Sequence, residues 1–402
     1  MPADTRARQR TGTGIGLLLT LVLGAVLLTA LPDDGEREGG GCAPRTVAGW
    51  TKDDRLTGEF ARYGDDATRT DDWTGGDGTH SVRLPDGRVL WLFSDTYLGQ
   101  VHGPPNPVDE SAAWRDTTAP LVRNSAVVMR GGRLESTLPA PLFADPAPNQ
   151  WRWPVAARVE PRSPGSSEKV VRVLLWVRTT GQSPWIYGVP TATEVATLSL
   201  PDLKVESVVK VLDQSLVSDP SQRVLFGTTL VEKDGWTYVY GGDDGQAASR
   251  PASSAYVARV PEGRLGEPAA WRYWNGSRWG AAPKPVRGAK VGSAFSVARV
   301  DGTYVLFTMA AGAEGLTTVT SYWACSPTGP WHGPTRHFSP ALPSAGVAAY
   351  NPQVHPELSG DGRLVLSYDV NWLETTGASA SINADVTLYR PRFVTVRLAR
   401  TR

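Results

Sequence analysis

One unit recurs five times along this chain and limits its fold more than any other feature. It consists of an apolar strand opened by small polar residues, a turn, and a second strand ending in Gly, Asp or Asn. The copies are "GGDGTHSVRLPDGRVLWLFSDTYLG" (75–99), "PVAARVEPRSPGSSEKVVRVLLWVRTTG" (154–181), "VLFGTTLVEKDGWTYVYGGDDG" (224–245), "GSAFSVARVDGTYVLFTMAAG" (292–312) and "YNPQVHPELSGDGRLVLSYDVN" (350–371). Each alternates with period two around a turn signal, the pattern of paired antiparallel strands. Turn centres fall near residues 86, 166, 234, 301 and 361, and each interval has room for one more hairpin. The candidates are 124–138, 194–212, 254–274, 318–339 and 385–399. Helical periodicity is not evident beyond the N-terminal apolar segment.

Five four-stranded units arranged radially make an all-β fold, a five-bladed β-propeller. A pair of β-sandwich domains is the rival reading. Similar unit lengths and the lack of a second linker in mid-chain favour the propeller. The final strand, ending around Leu398, is expected to complete a blade, and pairing with strands near the start would close the ring.

Ahead of the repeats, "MPADTRARQR" carries Arg6, Arg8 and Arg10, an uninterrupted apolar stretch runs from Ile15 to Leu31, and "PDDGERE" follows. This order reads as an export segment over residues 1–31, either a cleaved signal peptide or a signal-anchor helix held in the membrane. Leu28-Thr29-Ala30 is a tolerable cleavage site. Residues 32–49 are Gly-rich and charged and read as a linker, which leaves 50–402 as the globular domain. That domain is then expected to work outside the cytoplasm, secreted or anchored to the cell membrane.

The chain has two cysteines, Cys42 and Cys325, which an oxidising compartment would join. The loop so closed is worth on the order of 4 kcal/mol in the chain-entropy model. Lipid modification of Cys42 competes, but "GGGC" lacks the apolar residue expected before such a cysteine. With 41 Lys and Arg against 40 Asp and Glu, the formal net charge is +1, so nucleic-acid binding gets no support. At 402 residues and 41% hydrophobic, the chain can bury a large core.

Propellers gather ligands where their innermost strands begin, so the polar openings of the first strands form a candidate ring: Asp77, Thr79, Thr228, Thr229, Ser293, Ser296, Asn351 and Gln353. The ends of the second strands approach the same mouth with Asp95, Arg178, Asp243, Asp244, Asp369 and Asn371. No HExxH pair and no Gly-x-Ser-x-Gly elbow accompanies them. Carboxylates dominate instead, and two of them in one cleft are what glycoside cleavage needs: one protonated to serve the leaving oxygen, one ionised to attack or to activate water.

Asp77 and Asp95 stand out. Asp77 lies nine positions before Asp86 and Asp95 nine after it, so a three-residue loop sets them opposite each other at the open end of one hairpin. A two-residue loop would pair Asp77 with Thr96 and turn Asp95 to the other face. Aspartates beside glycine often serve only as turn and cap residues, and Asp86, Asp301 and Asp361 are read that way. Among the tryptophans, Trp91, Trp176, Trp236 and Trp323 lie inside strands and are expected in the core. Trp73, Trp114, Trp151, Trp153, Trp185 and Trp372 fall in loop-like positions suited to stacking on sugars. No cofactor is required; an axial calcium ion is conceivable among so many oxygen ligands, though no EF-hand-like loop specifies one.

The stretches "WTGGDGTHSVRLPDGRVLWLFSDTYLG" (73–99), "RNSAVV" (123–128) and "YNPQVHP" (350–356) resemble bacterial secreted five-bladed propeller proteins catalogued as domains of unknown function. Some relatives of that group are endo-D-arabinofuranosidases. The resemblance implies a glycoside hydrolase acting on a furanoside polymer such as arabinan, with the acid/base and nucleophile at Asp77 and Asp95. Thr79, Asn124, Asp243, Asp244, Asn351, Gln353, Asp369 and Asn371 are then candidates for holding sugar hydroxyls. "SPTGPW" (326–331) is similar to a turn in other five-bladed furanosidases, whose general acid is a glutamate opening a middle blade. Here that opening is Phe226-Gly227-Thr228. A non-catalytic propeller that binds envelope glycans or proteins is the alternative from a different class.

Overall fold

Pro85, Asp86 and Gly87 form the three-residue loop, and the opening hairpin takes the register that this length dictates. His80 pairs with Leu92 and Arg83 with Val89, and Leu84 N–H donates to Arg88 O at 2.8 Å. Gly87 supplies the positive φ of the turn, and the Asp86 carboxylate accepts the Arg88 N–H. Carried outward, the register sets Asp77 against Asp95: the Asp77 N–H donates to Asp95 O at 3.2 Å, while the Ser94 N–H donates to Asp77 O at 2.7 Å.

The computed structural model describes residues 42–70, 72–106, 112–245, 250, 252–309, 318–340, 342, 346–372 and 378–401. The export segment over 1–31 and the linker up to residue 41 lie outside the described residues. Among those described, no helix is long and apolar enough to cross a membrane.

The protein is mostly β, and five antiparallel sheets of four or more strands follow one another along the chain. The first holds His80–Arg83, Val89–Phe93, Ser125–Arg130 and Arg133–Thr137; the second Gln150–Pro161, Lys169–Thr179, Val189–Leu198 and Val205–Asp213. The third is built on Val224–Lys233, Trp236–Asp243, Ser253–Pro261 and Arg272–Trp274; the fourth on Phe295–Val300, Thr303–Thr308, Val319–Ala324 and His332–Phe338. The fifth takes Val347–Val354, Arg363–Trp372 and Arg392–Arg400 from the end of the chain, and Arg45–Lys52 from its beginning.

Alternation along the strands gives each sheet two apolar faces, and every face is buried against a neighbour. Leu90 and Leu92 of the first sheet pack on Val171, Val173 and Leu175 of the second. Trp176 and Val195 meet Phe226 and Val239 of the third, whose Tyr240 and Val257 meet Phe295 and Leu306 of the fourth. Val305 and Phe307 then meet Leu366 and Val394 of the fifth. Finally Val365 and Phe393 of the fifth meet Trp91 and Phe93 of the first. Five apolar interfaces therefore close a ring, with first strands of successive sheets in contact, in a propeller-like arrangement.

Several expectations need correction. A helix spans Asp54–Gly64: Asp53 caps it by accepting the Leu56 N–H, and Leu56, Phe60 and Tyr63 face the core beside Trp73 and Trp91. The strand that closes the fifth sheet begins at Arg45, so residues 45–49 belong to the fold and not to the linker. Residues 385–399 are not a hairpin. Val386–Tyr389 is a short 3-10 turn, and the outer partner of Arg392–Arg400 is the N-terminal strand. A second helix, Ala378–Ala384, precedes that turn.

Trp73 is a core residue, edge-on to Phe60 at 5.7 Å, and not a loop residue. Trp91 and Trp176 do fill interfaces between sheets, whereas Trp323 stacks on His332 at 4.4 Å, apart from the interface clusters. Cys42 and Cys325 form a disulfide.

Candidate active site

The short strand Asp72–Gly76 pairs with Thr96–Gly99 and delivers Asp77 to the axis of the ring. It can do so because the backbone comes close to its neighbours: a Cβ on Gly75 would lie 2.5 Å from the Tyr389 carbonyl oxygen. Gly78 then turns the chain with φ +66, and a Cβ there would lie 2.9 Å from Ser94 Cβ. The substitution Gly78→Ala is expected to destabilise the protein by at least about 1–2 kcal/mol in urea unfolding, because it strains the turn and pushes on Ser94. It should also displace Asp77.

Asp77 and Asp95 face one cavity of about 390 Å³ at the mouth of the ring. Their surroundings differ. Asp77 Oδ2 accepts the Tyr350 hydroxyl at 2.7 Å, with Tyr389 as a second hydroxyl partner, and no cation contacts it among the described residues. Burial, then the negative charges of Asp369 and Asp95, push its carboxyl well above the usual range.

Burial also raises Asp95, but there the rise is opposed by Arg123 and by the Trp153 indole. Arg123 Nη1 donates to Asp95 Oδ2 at 2.9 Å, and Trp153 Nε1 donates to Oδ1 at 2.7 Å. Of the two, Asp77 is therefore the group more strongly biased towards its protonated form, and Asp95 the one whose ionised form its neighbours favour.

Asp369 stands behind this pair. Its carboxylate accepts Gly78 N–H at 2.8 Å and Thr79 Oγ1 at 2.7 Å, with Asn351 Nδ2 at 3.3 Å. Burial pushes it up to about 6, against the lowering by those donors. Asp369 thus braces the Asp77 turn from the last sheet through Gly78 and Thr79, and neither Thr79 nor Asp369 lines the cavity. Asp244, Asn351, Asn371 and Ser293 do line it. Asp244 accepts from Arg178 Nη2 at 2.7 Å.

Three other candidates hold structure instead of ligand. Asn124 is buried, donates to the Phe143 and Arg152 carbonyls and accepts the Phe143 N–H, so its amide is spent on one loop. Asp243 accepts Gly245 N–H, Ser254 N–H and the Tyr256 hydroxyl. Gln353 is buried and reaches the Phe295 carbonyl at 3.5 Å. Thr228 and Thr229 likewise bond the backbone of Phe295.

Arg123, Tyr350 and Tyr389 were not legible as site residues, and Trp153 was read as a stacking surface for sugars and not as a donor to Asp95. They come from four separate segments, and only the closed ring brings them to the two aspartates. The rim carries a loop with Trp185 and Tyr187, the latter 55% exposed, which leaves aromatic surface open at the mouth. Among the described residues, no group of three or more His, Cys, Asp or Glu side chains is placed to hold a metal ion.

Fold and site together define a propeller-like β protein with an acidic axial cavity. The chain belongs to the family described as Domain of unknown function (DUF5005), which matches residues 60–398. No curated protein matches the sequence. Among solved structures, a candidate hydrolase from Bacteroides ovatus ATCC 8483 is similar at 19% identity and TM-score 0.66, over 86% of this chain and 90% of that one. An α-L-arabinofuranosidase from Podospora anserina in complex with cellotriose gives 11% identity and TM-score 0.48, over 81% and 91% of the two chains. The catalytic domain of a GH62 α-L-arabinofuranosidase from Coprinopsis cinerea gives 13% and 0.48, over 82% and 92%. The Bacteroides likeness establishes a shared fold.

Proposed function

We propose that the protein is a five-bladed propeller glycoside hydrolase that cleaves a furanoside polymer, arabinan-like, with Asp77 as general acid and Asp95 as nucleophile or base. The observation that carries this reading is the contrast between two carboxylates facing one cavity: Asp77 without a cation and repelled by two other carboxylates, Asp95 held by Arg123 and Trp153. A protonated Asp77 can give its proton to the leaving glycosidic oxygen. An ionised Asp95 can attack the anomeric carbon or take a proton from water. Positions opposed across one hairpin leave little room for an intervening water, which favours retention. Trp185 and Tyr187 offer stacking surface for sugar units beyond the bond that breaks.

Export belongs to the same proposal. The apolar N-terminal segment and the Cys42–Cys325 disulfide support an extracytoplasmic protein, secreted or held at the membrane by that segment if it is not cleaved. The polysaccharide is the partner in this reading, and no cofactor enters it. Incubating the protein with a panel of arabinans and other furanoside polymers and reading new reducing ends tests it. Glycan binding without any cleavage would turn the reading to a binding module.

The electrostatics add a pH prediction. Removing the positive charge in Arg123→Met lets the Asp95 carboxyl rise further, so the ionised form is lost at a higher pH as acid is added. The acid limb of the kcat/KM profile is expected to move upward. An unchanged limb would remove Asp95 from the role of base.

A further inference from the structure

We propose that His80 is a binding residue of the same cavity, where its imidazole takes a hydroxyl of a neutral sugar unit. This rests on the proposed function only for the class of ligand. His80 opens the first strand of the first sheet, is 7% exposed, and lines the cavity a few residues beyond Asp77. Among the described residues nothing hydrogen-bonds its ring, although polar groups buried to this degree almost always find a partner. The other deeply buried histidine shows the usual solution: His355 meets Ser81 Oγ at 2.5 Å through Nδ1 and Ser367 Oγ at 2.8 Å through Nε2. His80 has no such pair, and the space beside it is the cavity.

Burial alone pushes the His80 imidazole down to about 3, so near neutral pH it carries one N–H donor and one nitrogen acceptor. A hydroxyl can meet either.

Charge points the same way. Asp77, Asp95 and Asp244 line the cavity, and the one cationic side chain lining it among the described residues, Arg178, is engaged by Asp244 and by the Gly188 carbonyl. Among the described residues that line the cavity, no spare cation stands ready for an acidic sugar. A neutral polyhydroxyl unit fits both the free hydrogen-bonding groups and the field.

The test separates binding from cleavage. In the full-length Asp95→Asn protein, calorimetry measures affinity for neutral arabino-oligosaccharides and for uronic-acid oligosaccharides of equal length. His80→Leu is expected to weaken neutral-oligosaccharide binding about five- to tenfold, the scale of one hydrogen bond, while His80→Gln, which keeps a donor and an acceptor, recovers most of it. Thermal unfolding of both variants reports folding. Unchanged affinity in a folded His80→Leu protein, tighter binding of the acidic oligosaccharides, or no binding of the neutral ones by the parent would each overturn the proposal. His80-dependent binding in a protein that never cleaves any polymer would retain this inference and remove the hydrolase.

Discussion

Asp77→Asn is expected to leave the fold intact and to cut release of reducing ends from the cleaved polymer by about a thousandfold or more. Asparagine keeps the size of the side chain and its contact with the Tyr350 hydroxyl, but it has no proton to give to a leaving oxygen. General acid catalysis contributes about 10²–10⁴ in rate, and a poor alkoxide leaving group draws on most of it. Asp95→Asn should be at least as damaging, since it removes the ionised group and leaves Arg123 facing a neutral amide.

The pair separates by leaving group. An aryl furanoside with an acidic phenol needs little protonation, so Asp77→Asn should retain much more of its activity on that substrate than Asp95→Asn does. Equal losses on both substrates would remove the distinction between acid and base. Full activity in either variant would remove that aspartate from the chemistry.

Breaking the Cys42–Cys325 bond is the second large effect. The bond spans 283 positions and fixes the chain just before the strand Arg45–Lys52 to the end of a strand in the fourth sheet. Neighbouring contacts hold the same segment: Arg45 Nη2 meets Asp301 Oδ2 at 2.7 Å, and the Thr303 hydroxyl donates to the Ala43 carbonyl at 2.8 Å. For a loop this long the chain-entropy model gives a loss on the order of 5–6 kcal/mol. In a protein of this size that corresponds to a fall in Tm of about 7 °C. Thermal unfolding of Cys325→Ser beside the parent, with and without reductant, measures it. Reductant should lower the parent to the level of the variant and leave the variant where it is. A parent indifferent to reductant would show that the crosslink contributes nothing.

The regular features of the fold were legible in the sequence because they are written locally. Period-two alternation and five turn signals announce the hairpins, and Asp301 and Asp361 do sit in turns with positive φ. The register at Asp77 and Asp95 follows from the length of one loop. What escaped was short or distant. The helix Asp54–Gly64 presents large apolar side chains only at Leu56, Phe60 and Tyr63, too few for periodicity to separate it from a loop with aromatic residues.

In the last sheet the expected pairing of the final strand with one near the start holds, but 385–399 was misread as a hairpin, since alternation in Arg392–Arg400 does not say which strand lies beside it. Partners such as Arg123 and Tyr350 were hidden for a different reason. A residue's chemistry is local, but convergence on Asp77 or Asp95 depends on the whole ring. Asn124 shows the converse: its polar side chain at the head of a strand looked available for a ligand, and nearby backbone takes all of it.

The fifth sheet joins the beginning of the chain to its end, and the candidate site lies across the seam it closes. Tyr350 and Asp369 emerge from the last sheet and meet Asp77 and the Gly78 turn from the first. During synthesis both aspartates leave the ribosome early, and the groups that surround Asp77, namely Tyr350, Asp369 and Tyr389, arrive hundreds of residues later. A nascent or reopened chain can therefore carry both carboxylates and still lack the surroundings that set their protonation. Competence at this site arrives in one step with closure, so a catalytic readout would double as a clock for the final event of folding.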